Sequence, residues 1–230
     1  MKFLCLYVLL FGSLLADEGY KDASNQLFIS LGGSCDVAVK LREHNLRTEA
    51  FPFDWLLTLN HERFLELLDD DFQFFLNENC IFQNPENPFI LENKYYEFEF
   101  RHDWPVSLTN DLTCHLQEIT SKYERRIARF RKLGEYAGKV IFIRTAYDVQ
   151  NGGIYYWWND DQQRITAEQA KTLKMALDRF FPLLDFTLVI INYKGEDVQK
   201  IANIDGVIEF KIRKDKKTID YAMLLNHLSK

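Results

Sequence analysis

The 230 residues carry 28 Lys and Arg against 34 Asp and Glu, a formal charge of −6, and 47% of them are hydrophobic. A chain of this composition folds around a core rather than staying disordered, and its acidic balance makes it a poor binder of phosphate backbones, so nucleic acid is not an expected partner. The length fits one sizeable core, and a single α/β domain over 17–230 is the expectation.

The opening MKFLCLYVLLFGSLLADEG combines Lys2, an apolar run from Phe3 to Leu15 and small or acidic residues from Ala16 on. That order predicts a secretory signal peptide over 1–16 and an exported, periplasmic or secreted protein, because a membrane span needs ~20 apolar residues. A buried N-terminal strand or helix is the alternative. No later run is apolar enough to cross a bilayer, so no stable membrane insertion is expected once the leader is removed. Cys5 leaves with the leader, and Cys35, Cys80 and Cys114 remain. An odd number of cysteines in an oxidising compartment leaves one thiol without an intramolecular partner. Cys80 with Cys114 is the expected bridge; three reduced, buried cysteines are the alternative.

Next in the chain, QLFISL reads as a short buried strand, followed after Gly-Gly-Ser by a helix from about Cys35 to Asn45. Residues 51–105, with FPFDWL, FQFFL and NPENPF, read as an irregular, aromatic-rich insertion. It ends in KYYEFEF, where Tyr96, Phe98 and Phe100 alternate with Glu97 and Glu99 as in a half-exposed strand. A helical pattern then leads to KVIFIRTA, and a turn-rich run with four adjacent aromatics, DVQNGGIYYWWNDDQQ, follows that strand. This run is either a flap that stacks on a sugar or peptide or a plain hydrophobic cover. Thr166 and Gln169 form a capping-box pattern at the start of TAEQAKTLKMALDRFF. FTLVIINY, GVIEFKI and the helical TIDYAMLLNHLS complete the order. Nearly continuous apolar strands alternating with helices predict a three-layer α/β fold on a mainly parallel sheet, with 27–31, 140–145, 186–192 and 207–212 side by side.

In such sheets ligands sit outside the carboxyl ends of the strands. The strands deliver there Gly32, Gly33, Ser34 and Cys35; Arg144 and Thr145; Asn192, Tyr193 and Lys194; and, from the half-exposed strand, His102 and Asp103. Two glycines let the backbone turn sharply, and a thiol in the first turn of a helix is favoured as thiolate, which predicts a lowered pKa for Cys35. The same turn, with Ser34 as cap, suits a bound anion; the structural alternative is that Cys35 packs the strand–helix corner as a small hydrophobe. His102 and Asp103 supply a base and a carboxylate, although adjacent strand residues point to opposite faces. In KYERRIARFRK, Ile127, Phe130 and Leu133 face the core and Arg125, Arg129 and Arg131 lie mostly outside. Arg126 borders the apolar stripe, within reach of a buried carboxylate such as Asp54, which needs a partner between Phe53 and Trp55. His44, His61, His115 and His227 show no ligand spacing, so neither a metal nor a cofactor is expected.

Taken in order, SLGGSC, LREHNLRTEAFPFDW, RHDW, KYERRIARF and VIFIR resemble a family of largely uncharacterised proteins described as papain-like cysteine peptidases. The resemblance runs from Phe28 to Thr145 and more loosely toward 212. It implies Cys35 as nucleophile and His102 as base, with Asp54, Asp103, Arg126 and Arg144 at other motif positions. It also implies, as an alternative fold, a papain-like α+β arrangement with the cysteine on a long helix against an antiparallel sheet. The leading expectation is an exported cysteine-dependent hydrolase or acyltransferase acting on a peptide, acyl or glycan substrate, with Cys35, His102 and Asp103 catalytic and Gly33, Ser34, Asp54, Arg126 and Arg144 around the substrate. Its rivals are a phosphate- or sugar-phosphate-binding or transferase domain that uses the Gly-Gly-Ser-Cys turn and Arg144, and a non-catalytic interaction protein.

Overall fold

A computed structural model describes residues 26–47, 49–58, 60–85, 87, 90–103, 112–146, 164–192 and 204–211. The leader expected at 1–16, Tyr193 and Lys194, the aromatic run 148–163 and the helical pattern 218–229 lie outside the described residues.

The four apolar runs form one parallel sheet, β1 (Gln26–Ser30), β6 (Lys139–Thr145), β7 (Phe186–Asn192) and β8 (Val207–Lys211), side by side in that order. Their side chains alternate between two faces, and both faces are covered. On one, Phe28, Ile141, Ile143, Val189 and Ile191 pack on Val37 and Leu41 of α1 (Asp36–Glu43). On the other, Leu27, Ile29, Val140, Phe142, Leu188 and Ile190 meet α3 (Leu112–Lys132) and α4 (Ala167–Phe180). Burial on both faces is why these strands read as unbroken apolar runs rather than as alternating ones. At the start of α4 the capping box is formed: the Gln169 amide donates to Thr166 Oγ1 and the Thr166 amide to Gln169 Oε1.

Residues 51–103, expected to be irregular apart from the strand near their end, are built of regular elements. They contain β2 (Leu56–Thr58), α2 (His61–Asp69), β3 (Ile81–Gln83), β4 (Leu91–Asn93) and β5 (Phe98–Phe100), and the strands form an antiparallel sheet in the order β2-β5-β4-β3. β2, β3 and β4 have three residues each, too short for a two-residue alternation to stand out in sequence, whereas β5 lies in the alternating run read as a half-exposed strand. Phe53, Phe64, Phe75, Phe98 and Phe100 of this segment join the same core cluster as Phe130 of α3 and Phe142 of β6. Phe130 ties the layers together, standing edge-on to Phe53 at 5.4 Å and to Phe181 at 5.1 Å.

On α3, Ile127, Phe130 and Leu133 are buried as the spacing predicts. Arg129 and Arg131 are not idle on the outer face: Arg129 pairs with Glu49 and donates to the Ala50 carbonyl, and Arg131 pairs with Asp71. Cys80 is a free, half-buried thiol in place of the expected bridge.

Candidate functional site

The chain leaves β1 through a turn that requires glycine. Gly32 and Gly33 have φ of +74° and +90°, and a Cβ on Gly33 would lie 2.0 Å from the Thr145 carbonyl oxygen. Three side chains hold this turn. The Gly33 amide donates to Thr58 Oγ1 at 3.1 Å, the Gly32 amide donates to Ser30 Oγ at 3.2 Å, and Thr145 Oγ1 donates to the Gly32 carbonyl at 3.2 Å. Arg144 locks the turn to the antiparallel sheet: Nη1 donates to the Leu31 carbonyl and to Thr58 Oγ1, and Nη2 to the Thr58 carbonyl, each at 2.6 Å. Arg144 is 4% exposed, and its guanidinium stacks 4.0 Å over the Phe64 ring. Burial pulls its pKa down to about 9, so it remains a cation at neutral pH. Thr58, the residue on which these bonds converge, carries no signal in the sequence, because its partners lie 25 and 86 positions away.

Arg144 also acts on His61, the first residue of α2. Burial, followed by the nearby Arg144 charge, lowers the His61 pKa to about 4, and its Nε2 contacts Thr172 Oγ1 at 2.8 Å. An unfolded histidine titrates near 6.5, so between these values the unfolded chain binds the extra proton and the fold loses stability as pH falls. Acidification from pH 7 toward pH 4 should therefore cost about 2–3 kcal/mol through this group alone. Urea unfolding at pH 7 and pH 5 should show the loss, and His61→Gln should show less of it; an equal pH dependence in both proteins would remove His61 as its source.

Cys35 stands at the cap of α1 with half its side chain covered, and its carbonyl accepts from the Val39 amide at 3.0 Å. Ser34 Oγ accepts from the Asp36 amide at 3.4 Å and donates to Asp36 Oδ2 at 3.0 Å, which places a carboxylate in the first turn. The thiol pKa is consequently raised, not lowered as the glycine-rich turn predicts. Burial comes first and the Asp36 charge second, and together they outweigh a hydrogen bond from the backbone of Cys35 and the Arg101 cation. The helix terminus favours a negative charge, but Asp36 already supplies it.

The antiparallel sheet brings the second half of the site. β2 and β5 pair with Leu56 opposite Phe100, so the residues flanking them, Asp54-Trp55 and Arg101-His102-Asp103, are neighbours. His102 is exposed and stands edge-on to Trp55, ring centres 5.5 Å apart. The same indole meets the guanidinium groups of Arg47 at 5.4 Å and Arg42 at 5.8 Å. Asp103 is buried and turns the other way, toward Lys122 Nζ at 2.9 Å and the Tyr123 hydroxyl. Asp54 is buried, and its Oδ2 accepts from Arg47 Nε at 2.9 Å, Arg47 Nη2 at 2.7 Å and the Phe51 amide at 2.9 Å. Burial raises its pKa against those interactions and the more distant Arg126 charge. Arg47, not Arg126, is thus the partner of Asp54. Arg126 is 9% exposed, with its guanidinium 4.8 Å from the Tyr123 ring and a buried Nη1 that has no acceptor among the described residues.

At the end of β7, Asn192 is occupied structurally, accepting from the Ile165 amide and donating to the Ile165 carbonyl and Glu209 Oε1. Among the described residues, no three His, Cys, Asp or Glu side chains are grouped so as to hold a metal ion.

A parallel sheet whose first strand passes through a pinned Gly-Gly turn to a thiol at the start of a helix defines an α/β protein with a candidate thiol site at its carboxyl edge. The antiparallel sheet brings Thr58 to that turn, with Trp55 and His102 on the segments flanking β2 and β5. The chain belongs to the family described as "Putative papain-like cysteine peptidase (DUF1796)", whose model matches residues 26–196. It is also similar to "Uncharacterized protein R408" of Acanthamoeba polyphaga mimivirus, 26% identical over 142 residues. That alignment covers 54% of this chain and 64% of the relative, so the chain spans less than two thirds of the relative's length. No solved structure matches the chain significantly.

Proposed function

We propose that the chain is a cysteine-dependent hydrolase or acyltransferase in which Cys35 is the nucleophile and His102 the base. The observation that carries this reading is the half-exposed thiol held at the first turn of α1 by a turn that only glycine can make. Family membership supports the peptidase direction, and the substrate is an acyl compound, a peptide in the first instance. In the reaction His102 takes the thiol proton as sulfur bonds to the acyl carbon, and returns it to the departing amine. Water, activated by the same imidazole, then cleaves the thioester and frees the acid. The Gly33 amide is committed to Thr58 and the Asp36 amide to Ser34 Oγ, which leaves the amides of Ser34, Cys35 and Val37 as donors for the developing oxyanion.

A raised thiol pKa and an exposed histidine against Trp55 favour proton transfer during attack over a preformed thiolate–imidazolium pair. Alkylation of Cys35 by iodoacetamide should therefore keep accelerating beyond the about 8.5 of a free thiol. Asp36→Asn should move that profile down and Arg101→Ala up, since these charges raise and lower the thiol pKa respectively. A plateau below pH 7 would show a preformed thiolate and overturn this order of events. With a fluorogenic peptide or thioester library, Cys35→Ala should abolish turnover and His102→Ala should reduce it about 10²–10⁴-fold. Turnover that survives Cys35→Ala would end the proposal. The phosphate-binding reading has less support, because the Arg144 donors point inward to Leu31 and Thr58.

A further inference from the structure

We infer that a cavity between the ends of α2, α3 and α4 is a second site, which takes a zwitterionic amino acid or short peptide with an apolar side chain. Leu68, Asp69 and Asp71 at the end of α2, Arg131 in the last turn of α3, and Arg179 and Phe180 at the end of α4 line about 530 Å³, a volume in the range of small-molecule sites. α3 runs into β6 and α4 into β7, so this cavity lies at the amino edge of the parallel sheet. The Gly-Gly turn lies against Thr145 at the carboxyl edge, and the seven residues of β6 separate the two edges by about 20 Å. The assignment therefore does not rest on the Cys35 reading.

The lining is charge-balanced and only partly satisfied. Arg179 holds Asp69 through Nε and Nη2, and Arg131 holds Asp71 Oδ1 through Nε at 2.8 Å and the Asp71 carbonyl through Nη2 at 2.9 Å. Nη1 of each arginine and Asp71 Oδ2 have no partner among the described residues and remain for a ligand. The chain is bent to make this arrangement. Asp71 and Phe72 follow one another at φ +47° and +63°, in the left-handed region that bulky residues avoid, and the Phe72 ring stands 6.0 Å from the Arg131 guanidinium. Exposed ion pairs stabilise a fold little, whereas each such backbone position is costly and recurs at ligand-holding sites. A carboxylate matches the two Nη1 groups, an ammonium matches Asp71 Oδ2, and an apolar side chain covers Leu68 and Phe180. A simple anion would face Asp69 and Asp71, and a simple cation the two guanidinium groups; a zwitterion meets both signs and adds no net charge.

Calorimetric titration of the full chain tests this, with the Cys35→Ser form included so that no thiol-dependent turnover consumes a peptide. The probes are leucine, the dipeptide Leu-Leu, its N-acetyl and C-amide derivatives, and Gly-Gly. Leucine or Leu-Leu should bind saturably and equally to wild type and Cys35→Ser; the tighter of the two shows whether the natural source is a free amino acid or a peptide. Blocking either terminus of Leu-Leu, or replacing it with Gly-Gly, should weaken binding about tenfold or more, and so should Arg131→Gln and Asp71→Asn. The Arg131 and Asp71 side chains are 49% and 59% exposed, so both variants should fold. Should either fail to, the Arg131 and Arg179 Nε–H resonances of the wild type must move on titration while that of Arg47 stays. No saturable binding, equal binding of the blocked peptides or of Gly-Gly, unchanged affinity in Arg131→Gln, or stationary Arg131 and Arg179 resonances would each overturn the site. Binding lost in Cys35→Ser would place the ligand at the thiol and overturn it as well.

Discussion

Gly33→Ala should destabilise the fold by about 3–5 kcal/mol, from the left-handed backbone and the forced displacement together. The residue has φ +90°, and the new Cβ would fall 2.0 Å from the Thr145 carbonyl oxygen, a backbone atom within a central strand that has little freedom to move. Relief would require the β1–α1 turn to retreat from β6, breaking the bond from the Gly33 amide to Thr58 and loosening the segment that presents Cys35. Gly134→Ala is the control: its Cβ would meet only Phe181 Cδ1 at 3.6 Å, an ordinary contact. Denaturant midpoints should separate the two variants widely, with Gly134→Ala close to wild type. A Gly33→Ala midpoint no lower than that of Gly134→Ala would show that the turn is not held as described.

Arg144→Met is expected to cost about 2–4 kcal/mol, a net figure. The substitution keeps much of the stem against Phe64 but leaves the Leu31 and Thr58 carbonyls and Thr58 Oγ1 without the donor they share. Removing a buried cation with no carboxylate partner among the described residues recovers some desolvation energy, which is why the expected loss is below that of a broken buried ion pair. A second readout separates this clamp from simple packing. The Arg144 charge is one of the two causes that lower the His61 pKa, so the His61 titration, followed by NMR, should move upward from about 4 in the variant. A His61 titration unchanged by the loss of the guanidinium would show that the two groups are not coupled.

Much of the parallel sheet was legible because strands buried on both faces leave continuous apolar runs, and the α4 cap was legible because Thr166 and Gln169 satisfy each other within one turn. Of the antiparallel sheet only β5 was legible, through the alternation of Tyr96, Phe98 and Phe100 with Glu97 and Glu99; Leu56–Thr58, Ile81–Gln83 and Leu91–Asn93 are each too short to show a period. The partner of Asp54 was misread for a related reason. Arg126 is on a helix whose spacing turns it inward, whereas Arg47 reaches Asp54 from a segment with no periodicity to reveal its direction.

By itself the sequence determined where the four parallel strands run, that glycine is needed between β1 and α1, that Cys35 opens a helix, and that Arg126 borders the core. These depend on backbone sterics and on periodicities of two and 3.6 residues, which act between near neighbours. Only the tertiary structure decided that Thr58 receives both Gly33 and Arg144, that Asp103 turns to Tyr123 while His102 turns to Trp55, and that the Cys35 thiol pKa is raised. Each of these is set by groups that folding brings together from 20 to 86 positions away or by burial of the group itself, and neither partner choice nor local dielectric is written in the order of residues around them.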